Sequence, residues 1–435
     1  MRACSDHSQP PKNLSDVVRA NIRHQTTLPP MSRVVILVAI LLACTQLKGQ
    51  GVSPHAQDAV QTIRQLRAIG LPNFEDGHTG PPARVPRLLR QLNQQLRALI
   101  TDTLNDRSRL TVASQAEVIG QLQAAGWDEI PSQKWNAYGE ISQIGFDWRS
   151  GYDPGILVVS TQLWIPCGTD PDSAIYVFRG RVREWKLVLA TDADFDPTGD
   201  VQESGMQYQL SPPDTHGKWF LAIAHSPPAC GPTPASLRYK ILRPGPSADE
   251  PQIVFDHREP FDPKFQPPFR LQVEEDWFAV TRGKERKLDG EPGVSIERYQ
   301  ISGDQISRIQ PLALKPEDFL DEWVRLGWDE AARWTDRSED GDLQKWHSRL
   351  NTLAYDSTEI EFIQPCPEQP SADKVWLAGL WIDQKLNPTT QDERLYIVVS
   401  EKKHAFYVDS VRTIRPAGCP GKTRQFVTNW TLPEW

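Results

Sequence analysis

None of the short signatures that mark the common catalytic centres occurs in this 435-residue chain. It has no Gly-x-Ser-x-Gly elbow, no His-Glu-x-x-His and no Gly-x-Gly-x-x-Gly, which removes the usual serine nucleophile, zinc helix and dinucleotide cradle. Gly421-Lys422-Thr423 imitates the end of a phosphate loop. The glycine needed five residues before Gly421 is Pro416, and too little chain follows for the required helix and sheet. Basic runs are missing too. Net charge is −8, and beyond the first 50 residues 42 Lys/Arg stand against 54 Asp/Glu. An acidic body without a basic stripe excludes nucleic acid as a partner and disfavours anionic lipid surfaces. Cysteine is scarce, with six in the chain, and no two are spaced as the close pairs of a zinc site. Tryptophan is absent before Trp127, although the chain holds fifteen.

The chain also has an internal similarity. Gly126-Trp127-Asp128-Glu129, Trp135, Cys167 and Cys230 find counterparts in Gly327-Trp328-Asp329-Glu330, Trp334, Cys366 and Cys419. The step from Trp to the first Cys is 40 residues in one copy and 38 in the other, and Cys to Cys is 63 and 53. A tandem duplication follows as the expectation. It selects Cys167–Cys230 and Cys366–Cys419 from the three pairings that four cysteines allow.

Val34–Ala43 is an apolar run preceded by Met31 and Arg33. Ten residues are too few to span a bilayer but suit the core of a secretory signal. The polar stretch 1–30 is odd ahead of such a signal, so a start at Met31 is a simple account. Leu41-Leu42-Ala43-Cys44 resembles a bacterial lipobox, with Leu42 departing from the small residue preferred there. The alternative is cleavage near Gly49-Gln50-Gly51. Both routes place the body outside the cytoplasm, in the periplasm, outer envelope or exterior, where paired cysteines oxidise.

Helical spacing recurs over 57–70, 85–104 and 114–125. From Gly155 the pattern turns to strands: Ile156–Ser160, Leu163–Ile165, Ile175–Phe178, Trp185–Ala190, Trp219–Ala224, Leu237–Leu242, Ile253–Phe255, Phe269–Val273, Trp277–Thr281, and a hairpin of Ser295–Ile301 with Gln305–Ile309 about Ser302-Gly303-Asp304. Residues 316–334 read as helix, opened by Pro316, Glu317 and Asp318. Four strands follow, Thr358–Ile363, Val375–Ile382, Leu395–Val399 and Ala405–Ile414.

The expected fold is strand-rich α+β: a small helical N-terminal region, then two related helix-plus-antiparallel-sheet modules joined by β-hairpins. In layout each module resembles the cystatin or NTF2-like arrangement. The alternative is a β-propeller-like, all-β body. The expected boundaries are 1–51 for the start and signal, 52–112 for the helical region, 113–245 for the first module, 246–315 for the connecting hairpins and 316–435 for the second module.

The sharpest local pattern is acidic. Asp192, Asp194, Asp196, Asp200 and Glu203 fall at positions 1, 3, 5, 9 and 12 of a calcium-binding loop. Pro197 stands where such a loop requires glycine, and no pair of helices flanks it. Calcium is the only cofactor the chain suggests; a solvated acidic turn is the competing reading.

His257, in Asp256-His257-Arg258-Glu259, is the histidine best placed to meet a carboxylate. Asp256 cannot serve it, because strand neighbours point to opposite faces. His225, beside Ser226 and two prolines, reads as part of a rigid loop. His216, His347 and His404 read as loop or hairpin-tip residues. Trp376 and Trp381 should face opposite sides of one strand.

These readings favour an exported, non-catalytic binding or structural protein, taking a protein, glycan or small ligand and touching membrane only through its signal or a lipidated Cys44. A maturation factor held at the membrane by that lipid is a variant of it. The alternative is an extracytoplasmic hydrolase with a carboxylate/His site. His257 clustered with Asp or Glu in a concave pocket favours the hydrolase; an aromatic-lined groove favours the binder.

Overall fold

The computed structural model describes residues 52–69, 82–106, 113–130, 138–165, 172–192, 204–226, 236–260, 269–309, 312–336, 342–353, 358–366, 374–383, 393–417 and 419. Among them are six α-helices and four antiparallel sheets of four strands each, every sheet an open meander in chain order. The strand-rich expectation holds at that level.

Three helices come first: α1 (Pro54–Arg67), α2 (Arg84–Asn105) and α3 (Gln115–Ala124). The predicted apolar stripe of α2 is buried from Val85 through Leu92 and Leu96 to Ile100. Helix α3 opens on a capping box, in which the Ser114 N–H donates to Glu117 at 2.6 Å. It closes on Gly126 at φ +89, with Gly126 N–H to Gln123 and Trp127 N–H to Leu122. That is a Schellman cap, which needs the left-handed conformation glycine adopts without strain. The second Gly-Trp-Asp-Glu behaves otherwise. Gly327 is extended (φ −65, ψ 152) and leads into the short helix α5 (Trp328–Ala331). Four identical residues thus end one helix and begin another.

The first sheet is β1 (Ile141–Arg149), β2 (Gly155–Leu163), β3 (Asp172–Gly180) and β4 (Lys186–Ala190). The second is β5 (Ser204–Leu210), β6 (Leu221–Ser226), β7 (Ser236–Arg243) and β8 (Gln252–Pro260). The third is β9 (Phe269–Val273), β10 (Trp277–Glu285), β11 (Pro292–Ser302) and β12 (Gln305–Ile309). Strand alternation lets one sheet serve two cores. On β6, Leu221 and Ile223 pack with Ile156, Val158, Ile175 and Val177 of the first sheet. Ala222 and Ala224 of the same strand pack with Phe278 and Val280 of the third. Consecutive meanders stacked face to face are also how propeller blades adjoin. The first strands of the second and third sheets run side by side, tied by Gln207 and Gln209 amides donating to the carbonyls of Phe269 and Leu271 at 2.9 Å.

The outer face of the first sheet is covered by α2. Asn93, buried in that helix, accepts from Thr161 and donates to Asp172, each at 3.1 Å, and its carbonyl accepts from Tyr176. Burial raises the Asp172 carboxyl to about 6.

After the third sheet come α4 (Pro316–Arg325), α5 and α6 (Asp342–Asn351), then the fourth sheet of β13 (Thr358–Pro365), β14 (Lys374–Ile382), β15 (Glu393–Lys402) and β16 (Ala405–Arg412). Helix α4 has two buried faces. Phe319, Leu320, Trp323 and Val324 enter the core of the fourth sheet with Leu380, Ile397 and Val408. Asp318, Asp321 and Glu322 are buried on the other face. Helix α6, absent from the sequence reading, lays Leu343, His347 and Leu350 against the same core. His347 is therefore a buried helical residue, correcting its expected place in a polar loop; its Nε2 lies 3.0 Å from the Trp323 carbonyl oxygen. A bulge between Ile360 and Phe362 switches the parity of β13. Ile360 and Ile363 thereby face the helices, while Phe362 joins Val375, Leu377 and the Cys366–Cys419 disulfide on the far side. Cys167 and Cys230 lie outside the described residues.

Candidate functional site

The second and third sheets meet in aromatics and then in charge. Tyr239 and His257 are cross-strand partners on β7 and β8, with rings 5.0 Å apart. Phe255 precedes His257 on the same face, and Phe278 stacks with Tyr299 at 5.1 Å. Strands β10 and β11 continue past this contact, and that face turns polar and charged along them. Arg282 and Lys284 follow Phe278 and Val280, while Glu297 and Ser295 precede Tyr299. Helix α4 covers that end with its carboxylates. Here lies the largest buried ionic cluster among the described residues.

Glu259, the second residue after His257 and on its face, is bonded by the Arg282 guanidinium through Oε2. Glu297 Oε2 accepts hydroxyl donors from Tyr299 at 2.8 Å and Tyr239 at 3.1 Å. Its Oε1 stands 3.9 Å from Arg282 and 3.7 Å from Arg308. Arg308 also reaches Glu322 at 3.0 Å and Glu330 at 3.4 Å. Lys284 lies 2.8 Å from both Asp321 and Glu322, and Ser295 donates to Glu322 at 3.2 Å. Asp321 caps the turn below by accepting from the Lys287 and Leu288 amides.

Titration follows this layout. Burial pushes the Glu259 carboxyl up to about 7, against the pull of Arg282. Burial acts the same way on Glu322, but Lys284 and Arg308 outweigh it and hold that carboxyl well below its ordinary range. Burial raises both tyrosine hydroxyls, and the Glu297 charge raises them further. Beside the cluster, burial lifts Asp318 to about 6 despite Arg286.

His257, Glu259 and Glu297 each offer one ligand-type atom, all within 4.8 Å of one another. Sequence reasoning reached His257 but missed both glutamates. The parity of His257 and Glu259 was readable from the chain; the approach of Glu297 depends on which sheets stack. Asp256 lies on the opposite face, bound by Arg238 at 2.8 Å, as strand alternation requires.

The other sequence candidates are scattered. Asp192 is buried and ion-paired with Arg97 of α2 at 3.1 Å. Asp194, Asp196, Asp200 and Glu203 lie outside the described residues. His225 is a buried residue of β6 rather than part of a rigid loop; burial, with Lys240 and Arg238 nearby, lowers it to about 3. His404 sits with Lys403 at the β15–β16 hairpin tip, both at positive φ. Trp376 packs toward the helices, and Trp381, of opposite parity, takes Arg394 over its ring at 5.7 Å.

A cleft of about 290 Å³ opens at the ends of the second and third sheets, four residues along β11 from Glu297. Trp219, Phe220 and Ile301 are its apolar lining, with Lys218, Arg243 and Asp276 among its charged groups. No described helix is long and apolar enough to cross a membrane.

No family model matches the chain, and no curated protein matches it. Among solved structures it is similar to an α-L-arabinofuranosidase of Fusarium graminearum in complex with an iminosugar inhibitor, at 9% identity and TM-score 0.24, over 64% of this chain and 71% of that one. It is also similar to a GH43 β-1,3-galactosidase with galactodeoxynojirimycin, at 10% identity and TM-score 0.21, over 65% and 79%. Both likenesses are too slight to bear on function.

Proposed function

We propose that the protein is an exported, non-catalytic binding protein, whose ligand enters the cleft at the joint of the second and third sheets. One observation carries this reading: every carboxylate of the buried cluster is paired with a cation inside the fold. Glu259, Glu297, Asp321 and Glu322 each face Arg282, Lys284 or Arg308. A general acid or base must reach a substrate proton, whereas these groups lie beneath packed side chains. The cleft, by contrast, sets Trp219, Phe220 and Ile301 among five charged side chains in a concavity that a ligand can reach.

The Cys366–Cys419 disulfide supports export, since such bonds persist in oxidising compartments. It also supports the pairing expected from the duplication, of which Cys167–Cys230 would be the other half. A second reading, an extracytoplasmic hydrolase, draws on the meeting of His257 with Glu259 and Glu297. Two carboxyls driven apart in pKa can divide acid and base roles.

A panel of chromogenic glycosides and esters, with glycan-array binding run in parallel, separates the two readings. The binder predicts no turnover, and retention on the array that falls in Lys218→Ala. Turnover abolished by Glu297→Gln, with the fold retained by circular dichroism, overturns it in favour of the hydrolase.

A further inference from the structure

We propose that His257, Glu259 and Glu297 form a binding site for a divalent transition-metal ion, zinc foremost. The inference goes beyond the ligand-binding reading and does not depend on it. Imidazole with two carboxylates is a donor set zinc accepts, whereas calcium and magnesium prefer oxygen alone. The three donor atoms lie within 4.8 Å of one another. A tetrahedral zinc site wants ligand atoms roughly 3.4 Å apart, so a small contraction of side chains closes it.

A second observation points to a missing partner. The Glu259 side chain is 9% exposed, yet its Oε1 is buried without a hydrogen bond among the described residues. Arg282 occupies the other oxygen. A buried carboxylate oxygen left over in this way calls for a donor or a cation. Glu297 is prepared similarly: two tyrosine hydroxyls fix Oε2, leaving Oε1 with contacts of 3.7 and 3.9 Å to arginines. Hydroxyls that orient a ligating carboxylate are the expected outer support of a metal site. His257 is only half-buried and gives the ion an entry, while Tyr239 beside its ring sets its plane.

Arg282 is the competitor, because its guanidinium supplies positive charge where the ion would sit. This yields a signature that a purely structural cluster lacks: removing the arginine should tighten metal binding.

The test is zinc titration of the oxidised full chain after chelator treatment, by calorimetry, with unfolding midpoints recorded alongside. One equivalent is expected, with a raised midpoint that magnesium does not reproduce. His257→Ala and Glu259→Gln should each weaken binding by about tenfold or more. His257→Gln gives the same result should the alanine variant fold poorly, and Arg282→Gln should strengthen binding. No zinc uptake by the wild type overturns the site. So does uptake unchanged in the His257 and Glu259 variants, or uptake lost instead in His216→Ala or His404→Ala, which marks surface histidines as the ligands.

Discussion

At the scale of single residues, Glu259 shows best how environment overrides composition. The chain offers 56 acidic side chains, and this one is set apart by burial against one arginine. Its folded pKa, about 7, lies above its ordinary value. The protonated form is thus favoured in the fold, and the stabilisation it brings is complete below about pH 4.5 and fades as pH rises through 7. In chelator, the stability of the wild type relative to Glu259→Gln should fall by roughly 1–3 kcal/mol between pH 5 and pH 8. Chemical denaturation at the two pH values measures it; a difference independent of pH contradicts the assignment. His225 has the opposite sign. Its lowered pKa, about 3, makes its contribution full above pH 6.5 and lost as pH falls. Neither shift was legible in the chain, because both depend on what lies above the residue rather than beside it.

Elements were more readable than contacts. The stripe of α2, the hairpin about Gly303, the N-terminal turn of α4 and the four strands of the last sheet all follow from local periodicity and turn chemistry. Three elements escaped. Strands β1 and β5 are rich in Gln, Ser and Gly, and α6 carries only Leu343, His347 and Leu350 on its buried face. A pattern that sparse does not stand out from polar loop. The disulfide is an element-scale device, closing 53 residues around β14, β15 and β16. In the chain-entropy model that loop is worth roughly 4 kcal/mol. Cys366→Ala with Cys419→Ala should lower stability by about that amount in a denaturant titration. A loss below about 1 kcal/mol would place the stability of this sheet in its helical face instead.

For the whole molecule, the repeated Gly-Trp-Asp-Glu and cysteine spacing point to two modules, while the strand faces show a continuous series. The first and second sheets each lend their two faces to different neighbours, and α4 repeats that device, apolar toward the fourth sheet and acidic toward the third. The chain could not reveal this, since a helix with buried Asp321 and Glu322 reads as having one solvated side. Glu322 is the hinge of the account: it joins Lys284 of β10, Ser295 of β11 and Arg308 of β12 to the helix. If the cluster is a fastening between sheets, removing this charge should cost about 3–5 kcal/mol, because two buried cations lose their common partner. The direct measurement is amide hydrogen exchange on the wild type and Glu322→Gln, followed element by element. The fastening predicts that β10, β11 and α4 lose protection together, with the fourth sheet following as its cover loosens. Unchanged protection in β10 and β11, or a loss confined to the ends of α4, would contradict it and return the cluster to the hydrolase reading.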